Sequence, residues 1–181
     1  MTPDLIKVEK YAEKCYDDAN CRYGDGSYMI HIRMVVDFIT KHGDVFKTVK
    51  DGIDTIGAAY CHDLIEDAKQ TYNDICKIAG KDVADITLGV TDVPAENRLM
   101  KHLLTMGKTV KDYRSIILKM ADIYCNAKYS KESGNSMYTK YVAEYKYRRP
   151  IFGTALMWYR NDINEKALLE MFRELDEIHI E

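Results

Sequence analysis

The chain has 181 residues, 46% hydrophobic and 30% charged, with a net charge of −3. That length and balance give a single domain with a real core and exclude wholesale disorder. A pI near 6.0 excludes a protein that grips long nucleic acids by bulk positive charge, and no run of about 18 apolar residues is present to span a membrane.

Prolines at positions 3, 94 and 150 only, with ten glycines falling mainly between periodic segments, punctuate a helical chain. Residues 3–19 read as a first helix and 20–28, with two glycines, as a loop. From Met29 to Lys41 the apolar residues Ile32, Val35, Val36 and Ile39 follow helical spacing, and Gly43 closes the element. A helix over 52–67 follows; Thr71-Tyr-Asn-Asp74 then resembles a capping box opening a short helix that Gly80 closes. Thr91-Asp92-Val93-Pro94 restarts the chain, with Pro94 suited to a first helical turn. Thr109-Val-Lys-Asp112 reads as a second capping box, for an apolar helix over 110–129. A loop around Gly134 and helices over 137–148 and 163–178 complete the chain. Strand-like alternation is nearly absent, and no repeat, low-complexity tract or linker divides the sequence. The expected class is all-α, as one domain over 1–181.

The segment Ala58-Ala-Tyr-Cys-His62-Asp63-Leu-Ile-Glu66-Asp67-Ala68 concentrates titratable groups. On one continuous helix His62 lies over Glu66 and Asp63 over Asp67. An imidazole beside a carboxylate offers two ligands to a divalent ion such as Mn²⁺, Fe²⁺ or Zn²⁺, and the second pair could position or deprotonate water. Taken alone, the segment's plain reading is a solvated acidic helix end. His31, with Met34, Val35 and Phe38 three, four and seven residues on, points toward the apolar side of its helix, where a satisfied core histidine is the plain reading. Asp122 lies between Leu118 and Asn126 in a helix rich in Ile, Leu and Met. A buried carboxylate without a partner costs several kcal/mol, so Asp122 needs a cation. Three helices thus each offer an inward ligand, in the order His, His-Asp, Asp.

That order resembles the metal-binding signature of the HD-domain phosphohydrolase superfamily. Gly26-Ser-Tyr-Met-Ile-His31 is similar to the family's G-x-P-Y-I-x-H, and Ala58 to Ala68 to A-A-L-L-H-D-x-x-E-D-T. Gly89-Val90-Thr91 is similar to the G-V-T that follows, and Leu118-Lys119-Met120-Ala121-Asp122 with Asn126 to V-K-L-A-D-x-x-x-N. Together these resemble the RelA/SpoT-type hydrolase branch, including its small stand-alone alarmone hydrolases, over residues 5–160, with the helix 163–178 as an appendage. The resemblance implies a compact multi-helix HD domain with a metal centre between helices. It implies that His31, His62, Asp63 and Asp122 ligate one Mn²⁺, Fe²⁺ or Zn²⁺ being the other ions the set suits. Glu66 and Asp67 match the catalytic pair that orients and activates water; Arg22 matches the arginine over the guanine base, and Lys119 and Asn126 border the nucleotide. The implied activity removes the 3′-pyrophosphate of ppGpp or pppGpp, giving GDP or GTP. The expected partner is a small nucleotide, with no long nucleic acid and no membrane; the stand-alone form implies no control by attached domains, and the sequence leaves the oligomeric state open.

Departures concentrate in the base-selecting loop. Asp17 and Asn20 stand where the family has His and Gln, Tyr23 where it has Lys, and Ile32 where it has Pro. Rival readings are the same centre acting on another nucleotide, such as the 2′-phosphate of NADPH or a signalling nucleotide, and a non-catalytic alarmone sensor. Tyr138, Tyr141, Tyr145 and Tyr147 interleave with Lys140, Lys146, Arg148 and Arg149. They read either as a wall that stacks a base and grips phosphates, with Tyr145 and Arg148 as its contacts, or as a plain amphipathic helix. His102 and His179 have no evident partners. The five cysteines, Cys15, Cys21, Cys61, Cys76 and Cys125, form no C-x-x-C pair. They read as reduced thiols, and with no export signal after Met1 the expected location is cytoplasmic.

Overall fold

The computed structural model describes residues 2–180. Helix α1 (Leu5–Asp18) starts where the Asp4 carboxylate accepts from the Lys7 N–H. A two-stranded hairpin follows, β1 (Arg22–Tyr23) against β2 (Gly26–Ser27), turned through Gly24 at φ +58°. A Cβ on Gly24 would stand 2.1 Å from the Tyr129 hydroxyl, so a side chain there meets both strain and a clash. Next come α2 (Met29–Lys41), α3 (Val49–Cys61), the single turn α4 (Leu64–Asp67), α5 (Tyr72–Ala79) and α6 (Lys81–Val90). The chain ends with α7 (Arg98–Thr109), α8 (Tyr113–Glu132), α9 (Met137–Leu156) and α10 (Glu165–Ile178). The architecture is all-α apart from the hairpin.

Helix α8 runs through the middle and packs against α2, α3, α6, α7, α9 and α10. Its sequence explains this: Ile116, Ile117, Leu118 and Met120 are all fully buried, so apolar residues face every side, as a central helix requires. No helix among the described residues is long and apolar enough to cross a membrane.

Several boundaries differ from the sequence reading, each for a local reason. The helix expected over 52–67 is interrupted: α3 ends at Cys61, and Asp63 sits at φ −101°, ψ 1° before α4 begins. The capping box at Thr71 forms with Asp74 as expected, but Gly80, at φ +92°, starts α6 as well as ending α5. Pro94 lies in the loop before α7, and the Asn97 side chain caps that helix by accepting from the Met100 N–H. Thr109 ends α7 rather than opening α8; its hydroxyl donates to the Gly89 and Thr105 carbonyls, while Asp112 caps α8. Helix α9 continues through Pro150 to Leu156, although the proline removes one helical N–H.

The terminal helix, read from sequence as an appendage, buries Met171, Phe172 and Leu175 in the same core as α2 and α8. Its entry is pinned where the Asn164 N–H donates to the Val45 carbonyl at 2.9 Å. Met171 is fully buried, so Met171→Ala is expected to cost about 2–5 kcal/mol in urea unfolding; a change under about 0.5 kcal/mol, the range of surface substitutions, would show that α10 is dispensable to the core.

Candidate metal centre

The break after Cys61 matters chemically. Neighbours on an ideal helix point about 100° apart, so consecutive residues rarely face one point. With the backbone turning at Asp63, His62 Nε2 and Asp63 Oδ2 approach to 3.1 Å. His31, from α2, brings its Nε2 to 3.2 Å from His62 Nε2 and 3.8 Å from Asp63 Oδ2. Asp122, from α8, places Oδ1 at 3.4 Å from His31 Nε2 and 3.9 Å from His62 Nε2. The ligand atoms of His31, His62 and Asp63 lie within 4.8 Å of one another, and Asp122 joins them through the two imidazoles.

These residues fit a divalent cation. Ligand bonds of about 2.1 Å put neighbouring donor atoms roughly 3.0–3.4 Å apart; three of the pairs here stand at 3.1, 3.2 and 3.4 Å, and the other two, at 3.8 and 3.9 Å, lie a few tenths of an ångström wider. The His62 Nδ1–H donates to the Ala59 carbonyl at 2.8 Å, which fixes the tautomer and leaves the Nε2 lone pair for an ion. Two imidazoles and two carboxylates suit an intermediate divalent metal. The electrostatics agree. Burial disfavours a charge on His62, yet Asp63 and Asp122 outweigh it and lift its pKa to about 9. Burial works against Asp63 too, but His62 brings its pKa down to about 2. Against its own burial, Asp122 is held well below the usual carboxylate range by Lys119 and the two histidines. Both carboxylates therefore keep their charge and draw positive charge to this point.

The cluster opens on a polar cavity of about 200 Å³. Glu66 and Asp67 line it, Glu66 with Oε1 accepting from the Asp92 N–H at 2.7 Å and its other oxygen without a partner among the described residues. Burial raises the Glu66 pKa, and burial followed by the nearby Asp63 charge raises that of Asp67. The Tyr28 hydroxyl donates to Asp63 Oδ2 at 2.6 Å and is also within donating distance of Asp67 Oδ2, at 3.1 Å. Lys119 Nζ lies 3.0 Å from Asp122 Oδ2, and Asn126 Nδ2 donates to Asp122 Oδ1 at 2.5 Å. Both residues line the cavity while holding the Asp122 carboxylate.

Of the nucleotide contacts read from sequence, Lys119, Asn126 and Arg148 line this cavity, whereas Arg22 and Tyr145 do not. Arg22 is exposed on β1; its neighbour Tyr23 is the residue that turns inward, its ring centroid 4.9 Å from that of His31 and 4.2 Å from that of Tyr129. Tyr145 packs the other way, donating its hydroxyl to Asp176 Oδ1 at 2.6 Å and stacking on His179 at 4.0 Å. The substrate contact assigned to Tyr145 is thus corrected: it ties α9 to α10. Tyr145→Phe is expected to leave turnover within twofold of the unaltered chain and to lower stability by about 1 kcal/mol, one hydrogen bond; a large loss of turnover would return Tyr145 to the site.

The tyrosine of α9 that does line the cavity is Tyr141, one turn earlier, and α7 supplies Arg98, Lys101 and His102 beside it. His102 is not partnerless: its Nδ1 lies 2.9 Å from the Tyr147 hydroxyl. Sequence reading missed this wall, although Arg98, Lys101 and His102, spaced three and four apart on one helix face, carried the signal. Asp92, which lines the cavity with its carboxylate 2.5 Å from Lys101 Nζ, was also missed.

No family model matches the chain. It is 30% identical over 135 residues to the guanosine-3′,5′-bis(diphosphate) 3′-pyrophosphohydrolase of Spiroplasma citri, covering 69% of this chain and 17% of that protein. It is 34% identical over 89 residues to the bifunctional (p)ppGpp synthase/hydrolase SpoT of Escherichia coli K12, covering 43% of this chain and 12% of that one. The chain therefore spans less than a fifth of the length of these relatives. Among solved structures, a metazoan ortholog of SpoT described as hydrolysing ppGpp superposes with a TM-score of 0.69 at 18% identity, covering 96% of this chain and 92% of that one. Fold and site together are those of an HD domain. Within that superfamily, the chain is of the RelA/SpoT hydrolase type.

Proposed function

We propose that the chain is a Mn²⁺-dependent phosphohydrolase that removes the 3′-pyrophosphate of ppGpp or pppGpp, giving GDP or GTP. The observation that carries this reading is the convergence of His31, His62, Asp63 and Asp122, drawn from three parts of the chain, on one point of a cavity that also holds Glu66, Asp67 and a cationic wall. The names of the curated relatives supply the substrate class.

His31, His62, Asp63 and Asp122 would hold the ion, which when bound supplies Lewis-acid polarisation of a phosphoryl oxygen. Glu66 is tethered by one oxygen and presents the other to water; its raised proton affinity suits a general base. Water adds to the phosphorus joined to the 3′-oxygen, the bond to that oxygen breaks, and a proton passes to it, leaving a 3′-hydroxyl and free pyrophosphate. Asp67, also raised and in reach of the Tyr28 hydroxyl, is placed to hand on the proton. Lys119 and Asn126 keep Asp122 oriented, and Tyr28 does the same for Asp63. The second reading, the same centre acting on another nucleotide, is favoured by one observation: Tyr23, not a lysine, lies over His31, and Arg22 faces solvent.

Incubation of the purified protein with Mn²⁺ and separately with ppGpp, NADPH, deoxynucleoside triphosphates and cyclic nucleotides, followed by ion-exchange chromatography, tests the proposal. GDP and pyrophosphate from ppGpp are expected. Inorganic phosphate from NADPH with ppGpp untouched would favour the second reading. Tight ppGpp binding with no turnover of any compound would make the chain a sensor.

A further inference from the structure

On the α7–α9 side of the cavity a carboxylate is enclosed by cations. Glu144 is 8% exposed and Arg148 7%. Glu144 Oε2 lies 3.2 Å from Arg98 Nη2 and 3.3 Å from Arg148 Nη2, and Arg98 Nε donates to Oε1. His102 Nδ1 stands 3.7 Å from Glu144 Oε1; burial, then Arg148, lowers its pKa to about 4, so near pH 7 it adds no charge. One carboxylate and two guanidinium groups leave this wall with a net positive charge.

The carboxylate has a mechanical consequence. Arg98 is 45% exposed along its side chain, and a long half-exposed side chain keeps one geometry only when something holds it. Glu144 does this from the buried side. Arg148 pairs with Glu144 at 3.3 Å and also lines the cavity. The metal end of the cavity has its own cation, Lys119, at 3.0 Å from Asp122. Neither arginine pairs with a metal-site carboxylate or with Glu66 or Asp67. The cavity thus holds Lys119 beside the ligand cluster and, on its α7–α9 side, an arginine pair that Glu144 holds, cations enough for a nucleotide that carries phosphate at two positions.

We propose that Glu144 is a positioning residue that sets Arg98 and Arg148 as the receptor for a second, non-scissile phosphate group of the substrate, the 5′-diphosphate of an alarmone. This rests on the functional reading above, and the test separates the two. Binding of ppGpp and of guanosine 3′-diphosphate, which lacks the 5′-phosphates, is measured calorimetrically with Mn²⁺ in a Glu66→Gln background, so that nothing turns over. Turnover of ppGpp is followed in parallel with Glu66 intact. Glu144→Gln is expected to weaken ppGpp binding about tenfold and binding of the 3′-diphosphate less than twofold, and to raise KM with kcat unchanged. Glu144→Asp, which keeps the charge and shortens its reach, should fall between, and Arg148→Lys should reproduce the selective loss. These two decide the matter should Glu144→Gln not fold. Equal weakening of both ligands would put the arginines on the departing pyrophosphate and overturn the proposal, as would no weakening of either. Selective binding without hydrolysis would sink the functional reading and leave the clasp standing; no binding of either ligand to the chain with Glu144 intact would sink both.

Discussion

Asp63→Asn is expected to lose metal and turnover together. Asp63 Oδ2 is central to the cluster, 3.1 Å from His62 Nε2, 3.8 Å from His31 Nε2 and 2.6 Å from the Tyr28 hydroxyl. Exchanging the carboxylate for an amide removes one of two negative charges that draw a cation to the site and, in one rotamer, points N–H groups at the ion. The remaining ligands are anchored independently, His62 by the Ala59 carbonyl and Asp122 by Lys119 and Asn126, so the fold should persist. Metal content after gel filtration, read by atomic emission, should fall to a small fraction of that of the unaltered chain, since loss of a ligand should cost more than the roughly 10–100-fold in affinity that loss of a ligand's supporting partner costs. A variant that keeps a full complement of metal would show that Asp63 is not a ligand.

Glu66→Gln should separate chemistry from metal binding. Glu66 is bonded to the Asp92 N–H rather than to any of the four ligands, so metal content should stay at that of the unaltered chain. The amide cannot accept a proton, and kcat is expected to fall about 10²–10⁴-fold, the usual worth of a positioned general base, with KM little changed. Undiminished turnover would remove Glu66 from the mechanism and shift the proton to Asp67. Measured side by side, the two variants distinguish a residue that holds the ion from one that handles the proton.

The sequence disclosed what depends on local periodicity and on motif. His31 and Asp122 were legible because each lies on the apolar side of a helix where an unpaired polar group is costly, and the His62-Asp63 pair because of the titratable motif that carries it. Even so, the geometry behind them was misread: a continuous helix over 52–67 would have splayed His62 from Asp63, and the turn at Asp63 is what lets both face one point. Tertiary contacts were not legible. Tyr141 and Tyr145 are one turn apart on α9, yet one meets the cavity and the other meets Asp176 and His179 on α10. Nothing in the spacing of α9 distinguishes them, since it has no apolar stripe and is packed on more than one side. The Glu144 clasp depends on α7 meeting α9, 46 residues later in the chain, and pairwise charge patterns within one helix could not reveal it. The net charge of −3 likewise concealed the site, where Arg98, Lys101, Lys119 and Arg148 face Asp63, Glu66, Asp67 and Asp122 across one cavity.

The proposed hydrolysis of ppGpp requires one ion held by His31, His62, Asp63 and Asp122. Protein stripped with chelator and titrated with Mn²⁺, with GDP and pyrophosphate formation followed at each addition, tests it most directly. No product is expected from stripped protein, and the rate should rise with added Mn²⁺ and saturate as one ion binds per chain. Full turnover in the stripped protein, or metal uptake with no release of pyrophosphate, would contradict it.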